Sequence, residues 1–148
     1  MQNMHIHKAL CRLFPAAPAG AWTIEQGAHT GGEIAVTSWT LPDPKPTQEQ
    51  LDAQYALMDE EEDAAARDRA CVAVRGERDR RMREAYDAAV MRIGRKLRTS
   101  PAEDVSRWEA AMAAWDAYAV ALCNLPGLPG FPWGGDMAAV PWPEAPKG

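Results

Sequence analysis

Ser100-Pro101-Ala102-Glu103-Asp104-Val105-Ser106-Arg107-Trp108 opens the stretch that decides the fold, which runs to Pro126. Ser100, Pro101 and Glu103 read as a helix start, with a hydroxyl cap, a residue that leaves no N–H unpaired, and a carboxylate able to reach back. Apolar residues then recur at Val105, Trp108, Met112, Trp115, Ala119 and Leu122. Steps of three and four place all six on one side of a helix. Asn124 suits the left-handed position that closes a helix, and Pro126 forbids its continuation. Burying each large side chain of such a stripe is worth roughly 1.5–3 kcal/mol, so the stripe predicts a packed face.

The residues beyond it are of a different kind. Leu125-Pro126-Gly127-Leu128-Pro129-Gly130-Phe131-Pro132-Trp133 suits neither helix nor central strand, because proline lacks the donor and fixes φ. It is expected to run extended, near polyproline II, as residues 126–148. Phe131, Trp133 and Trp142 then stand on a segment with no ladder of its own, and must fold back on a groove or dock on a partner.

Trp115-x-x-Tyr118-x-x-x-Leu122-x-x-Leu125-Pro126, Gly130-Phe131-Pro132-Trp133 and Val140-Pro141-Trp142-Pro143 resemble the C-terminal signature of phage tail and tail-fibre assembly chaperones. The likeness covers the last third of the chain, and the charged stretch Arg78-Asp79-Arg80-Arg81 follows the family more loosely. Where that family often has a basic residue after the tyrosine, this chain has Ala119. The resemblance implies a non-enzymatic protein without cofactor, working in the bacterial host cytoplasm on a tail or tail-fibre subunit. It implies partner contacts at Trp115, Tyr118, Leu122, Leu125, Pro126, Phe131, Trp133, Trp142 and Pro143. Two other roles stay open at this stage: a permanent virion part capping the fibre, and a small regulatory protein that binds nucleic acid.

Working back from the helix, residues 47–98 form a helical region. Thr47-Gln48-Glu49-Gln50 is a capping box, and Leu51, Tyr55 and Met58 share a face. Gly76 is the break candidate, and from Met82 the stripe resumes at Tyr86, Val90, Ile93 and Leu97. One glycine costs a helix only about 1 kcal/mol. The region therefore reads as one long or kinked helix, with a helix pair as the alternative. Residues 99–125 then fold back on it through a short junction.

Leu41-Pro42-Asp43-Pro44-Lys45-Pro46 is a stiff linker at 42–46, the expected boundary between a β module at 1–41 and the helical remainder. Trp22–Gln26 and Ile34–Thr40 are β-branched and aromatic, with Thr30-Gly31-Gly32 between them, and predict a hairpin. A hairpin alone is marginal in water. His5–Cys11 alternates well enough for a short strand, with a helical turn left open, and is expected to add a third strand unless another chain's strand, and so a homo-oligomer, completes the sheet. The fold class is α+β, mainly α.

The sequence has 148 residues and a net charge of −5. That charge is patterned: residues 43–66 carry −7, residues 67–98 carry +6, and residues 99–148 carry −4. Such blocks pair with one another or steer a partner. Arg75–Arg83 is the candidate nucleic-acid stretch, but Glu77, Asp79 and Glu84 interrupt it and Tyr86 is its sole aromatic neighbour. Cys11, Cys71 and Cys123 are far apart and form no CxxC, which supports neither a disulfide framework nor a zinc ribbon. His5, His7 and Cys11 are weak metal-ligand candidates, and His29 stands alone. No phosphate loop, GxSxG or HExxH occurs. No apolar run reaches the length of a membrane span, and Met1–Leu13 carries Lys8 and Arg12 where a signal peptide needs a long apolar stretch.

Overall fold

The computed structural model of the protein describes residues 3–27 and 34–147, with side chains from residue 5 onward. In order, its elements are α1 (Asn3–Leu13), β1 (Trp22–Gln26), β2 (Ile34–Trp39), α2 (Gln48–Arg81), a π-helical segment (Met82–Asp87), α3 (Ala88–Thr99) and α4 (Ala102–Asn124). The protein is α+β and mainly α, as its sequence implies. Two compact units divide within α2, at Met1–Asp63 and Ala64–Gly148.

In the first unit, β1 and β2 pair antiparallel, Trp22 opposite Trp39 and Gln26 opposite Ile34. A bulge after Thr23 leaves Thr37 as the extra residue, since Thr23 faces Ser38 while Ile24 faces Val36. The Thr30-Gly31-Gly32 turn and His29 lie outside the described residues. The expected third strand is instead the helix α1. Its Ile6, Ala9 and Leu10 are all buried, and their spacing of three and four is a helical face that the apparent alternation of His5–Cys11 masks. The face packs with Val36, Leu51 and Tyr55, so a helix rather than a strand completes the hairpin's core.

The aromatic edge is ordered. Trp22 and Trp39 stack with ring centres 5.8 Å apart, and Phe14 meets Trp39 edge-on at 5.1 Å. The proline linker is pinned to this edge: Trp39 Nε1 donates to the Asp43 carbonyl at 2.7 Å, and Lys45 Nζ to the Val36 carbonyl at 2.6 Å. The capping box forms reciprocally. Thr47 N donates to Gln50 Oε1 at 2.9 Å, and Gln50 N to Thr47 Oγ1 at 3.2 Å. Beyond Met58, every α2 residue from Asp59 to Arg69 is exposed, so the acidic run is a solvated one.

In the second unit, the chain stays helical from α2 through the π segment into α3. Gly76 lies inside α2 and breaks nothing, and Arg81 and Ala88, flanking the π segment, both hold right-handed helical angles. The irregularity falls at Met82–Asp87, where a wider turn re-aims the downstream face. Ser100 is extended (ψ 153°), and Pro101 makes the corner. α4 then returns antiparallel along α3, with Tyr86 Oη donating to Asp116 Oδ1 at 2.9 Å and Lys96 Nζ lying 5.9 Å from the Trp108 ring centre.

Both ends of α4 differ from the sequence expectation. The cap residue is Pro101 rather than Ser100, and no side chain caps the helix. Glu103 and Asp104 face its positive end instead. Asn124 is right-handed (φ −82°, ψ −11°), because the helix tightens into a 3₁₀ turn over Leu125–Gly127 rather than closing on a left-handed residue.

Candidate partner-binding site

The core of the second unit gathers Val74, Ala89, Ile93, Trp115, Tyr118, Leu122, Leu125 and Val140. Trp115 and Tyr118 meet edge to face at 5.5 Å. Of the residues that the resemblance marks for partner contact, Trp115, Tyr118, Leu122 and Leu125 are thus buried, while Pro126 and Pro143 are half-buried. Phe131, Trp133 and Trp142 are also half-buried and pack against this core from the outside.

The tail that carries them is not a polyproline II rod. From Leu125 to Ala139 it is a succession of turns, with Leu128 N donating to Leu125 O at 3.1 Å, Trp133 N to Gly130 O at 2.7 Å, and Asp136 N to Trp133 O at 3.1 Å. Proline at the second position of a turn is pre-shaped for it, and glycines supply the positive φ that the next corners need. Gly130 (φ +88°) is such a corner, and a Cβ there would stand 3.0 Å from Trp133 Nε1. Gly135 (φ +80°) brings the tail against α2, where a Cβ would stand 3.3 Å from that of Ala70. A last, tighter turn is centred on Pro141, with Trp142 N donating to Val140 O at 2.8 Å, and beyond it the chain is without turns.

The result is a strap that folds back on its own helices with its rings turned partly outward. Phe131 and Trp133 meet edge to face at 5.6 Å. Trp142 Nε1 donates to the Met137 carbonyl at 3.0 Å, and the Arg81 guanidinium lies 4.4 Å from the Trp142 ring centre. Arg81 was visible in the sequence only as one member of a basic run. Its contact with a ring sixty-one positions away has no local signal.

That basic run is largely neutralised. Arg78 pairs with Asp79 at 2.6 Å, Arg80 with Glu77 at 2.7 Å and also with Glu84, and Arg81 with Glu77 at 2.8 Å. Hydrogen bonds from Arg80 and then Arg81, reinforced by their charges, outweigh desolvation and hold the Glu77 carboxyl down to about 2. The residues that weakened the nucleic-acid reading in the sequence are the ones that quench this stretch.

Near α1, Trp22 Nε1 donates to His7 Nδ1 at 3.1 Å, and Cys11 Sγ lies 3.6 Å from His7 Nε2. These two side chains border an open hollow of about 440 Å³ lined also by Phe14, Pro15 and Trp22. Among the described residues no three His, Cys, Asp or Glu side chains converge as a metal site would require. No helix among the described residues is long and apolar enough to cross a membrane.

By class, the second unit is a helical hairpin strapped by an aromatic, turn-rich tail. Residues 71–147 match the family described as phage tail assembly chaperone protein, and residues 6–63 match the family described as XkdW protein. No curated protein and no solved structure matches the chain. The first match covers more than half of the 148 residues, and the chain belongs to the phage tail assembly chaperone family. Each match lies within one of the two compact units. Membership assigns the protein a role in tail assembly and, with it, a phage tail protein as partner.

Proposed function

We propose that the protein is a non-enzymatic chaperone that binds a tail or tail-fibre subunit through Phe131, Trp133 and Trp142 and shields it until assembly. The observation that carries this reading is the half-buried state of those three rings on a strap of turns. They are held in place, so little conformational entropy is lost on docking, yet each keeps surface for a partner. Trp115, Tyr118, Leu122 and Leu125 then support the strap from beneath.

Unassembled fibre subunits expose strand edges and apolar stripes that aggregate. Aromatic docking suits this protein better than donation of an edge from β2, because Lys45 already occupies the Val36 carbonyl of that strand. With no nucleotide-binding loop in the sequence, release follows from competition by subunit–subunit contacts. Co-expression of a tail-fibre subunit with and without the protein tests the reading. Higher soluble yield with the protein is expected, and equal yield sinks it.

A further inference from the structure

α3 differs from the basic run that precedes it. It carries Arg92, Arg95, Lys96 and Arg98 and no acidic residue. All four are exposed, and among the described residues none forms an ion pair. Ala89, Ile93 and Leu97 face the core, which turns Arg92, Arg95 and Arg98 outward in a row at spacings of three. Met91, 70% exposed, sits on the same outer face. Lys96 is held at the flank by the Trp108 ring.

We infer that the outer face of α3 is a second docking surface, for an acidic, apolar-flanked segment of a polypeptide partner. Three observations select that occupant. Guanidinium groups one turn apart match carboxylates at the same interval on an extended or helical peptide, and each can bind bidentately. Met91 offers a soft apolar contact at the N-terminal end of the charged row, which a side-chain ligand uses and a phosphodiester backbone does not. Glu103, Asp104 and Glu109 on the neighbouring α4, with the overall charge of −5, oppose a long polyanion while tolerating a short acidic segment. Arginines on this face are weakly hydrated and form no ion pair among the described residues, so pairing them breaks none there. The surface is separate from the aromatic strap and goes beyond the tail-docking reading.

Fluorescence anisotropy on the full chain tests it, with a labelled helical peptide of glutamate and leucine, its lysine counterpart, and a labelled DNA duplex. The acidic peptide is expected to bind and to weaken as salt rises, and the lysine peptide not to bind. Arg92→Glu with Arg95→Glu is expected to weaken binding roughly tenfold or more, the effect of losing two pairs. Arg67→Glu with Arg69→Glu, the same charge change on exposed α2 positions, is expected to leave it within about twofold. Trp133→Ala is expected to leave peptide binding intact, which separates this surface from the strap. Circular dichroism checks the helix content of each variant, and Arg92→Gln with Arg95→Gln replaces the reversal if helix is lost. No peptide binding at low salt, equal losses in both double variants, or tighter binding of the duplex overturns the inference. Self-association abolished by the α3 reversal also overturns it, by giving the row to a second copy of the chain.

Discussion

The Arg81 guanidinium lies 4.4 Å from the centre of the Trp142 ring, while its Nε donates to Glu77 at 2.8 Å. One side chain thus joins the far end of the strap to the last turn of α2. The carboxylate keeps the guanidinium plane from turning away, and the ring gains a cation partner where it leaves the core. At a half-exposed position such a contact is worth about 0.5–1 kcal/mol. Arg81→Ala is therefore expected to lower unfolding free energy by about that amount. It is also expected to shift the Trp142 indole N–H resonance while leaving that of Trp115 in place. An unmoved Trp142 signal would show that the ring is held by Met137 and its apolar neighbours alone.

Glu77 gives the same region a pH dependence. Its carboxyl is held down to about 2, by hydrogen bonds from Arg80 and Arg81 and by their charge. An unfolded glutamate titrates near 4.3, so the folded state binds this proton less readily. The sign follows: the stabilisation is fully present above the unfolded value and is lost as pH falls from there through about 2. Urea unfolding across that window is expected to show a steeper decline for the wild type than for Glu77→Gln. Identical slopes would mean that the Arg80 and Arg81 contacts do not persist in solution.

Much of this architecture was legible from short-range pattern, and what was missed shares a cause. The capping box at Thr47 and Gln50 is a local exchange of two hydrogen bonds, so four residues suffice to announce it. The α4 stripe is equally local, and its Trp115 and Leu122 are buried as the spacing implies. α1 reads as a strand or a helical turn, because His5, His7 and the apolar residues between them alternate over a few positions. Only the partners of Ile6, Ala9 and Leu10, far along the chain, decide for helix. The π segment at Met82–Asp87 has no glycine or proline to mark it. The tail's prolines exclude regular structure equally well in a rod or in a chain of turns. The positive φ of Gly130, Gly134 and Gly135 separates those cases. At the candidate site the residue types could be read, but the contact of Arg81 with Trp142 could not, since nothing local encodes it.

Gly76 offers a test of the unbroken helix. It lies inside α2, exposed, and a Cβ there would meet nothing within 4 Å. Replacing glycine by alanine at such a position removes backbone freedom from the unfolded chain without strain in the folded one. Gly76→Ala is expected to stabilise the protein by about 0.5–1 kcal/mol in denaturant unfolding. Destabilisation would mean that this position bends in solution and needs its glycine.

Trp115 and Trp133 separate support from contact. Trp115 is buried against Tyr118 and the core, whereas Trp133 is half-buried against Phe131 and the tight corner at Gly130. Removing a buried tryptophan leaves a cavity, so Trp115→Ala is expected to cost roughly 3–5 kcal/mol of stability. Its effect on a tail partner should then follow from loss of fold. Trp133→Ala opens no sealed cavity and is expected to cost stability less than half as much. An exposed anchor of an interface commonly contributes about 2 kcal/mol or more to binding. Titration of a tail-fibre subunit by calorimetry, with unfolding measured on the same samples, distinguishes the two. If Trp133→Ala binds as tightly as the wild type while remaining folded, the strap's rings serve the protein's own core and the partner sits elsewhere.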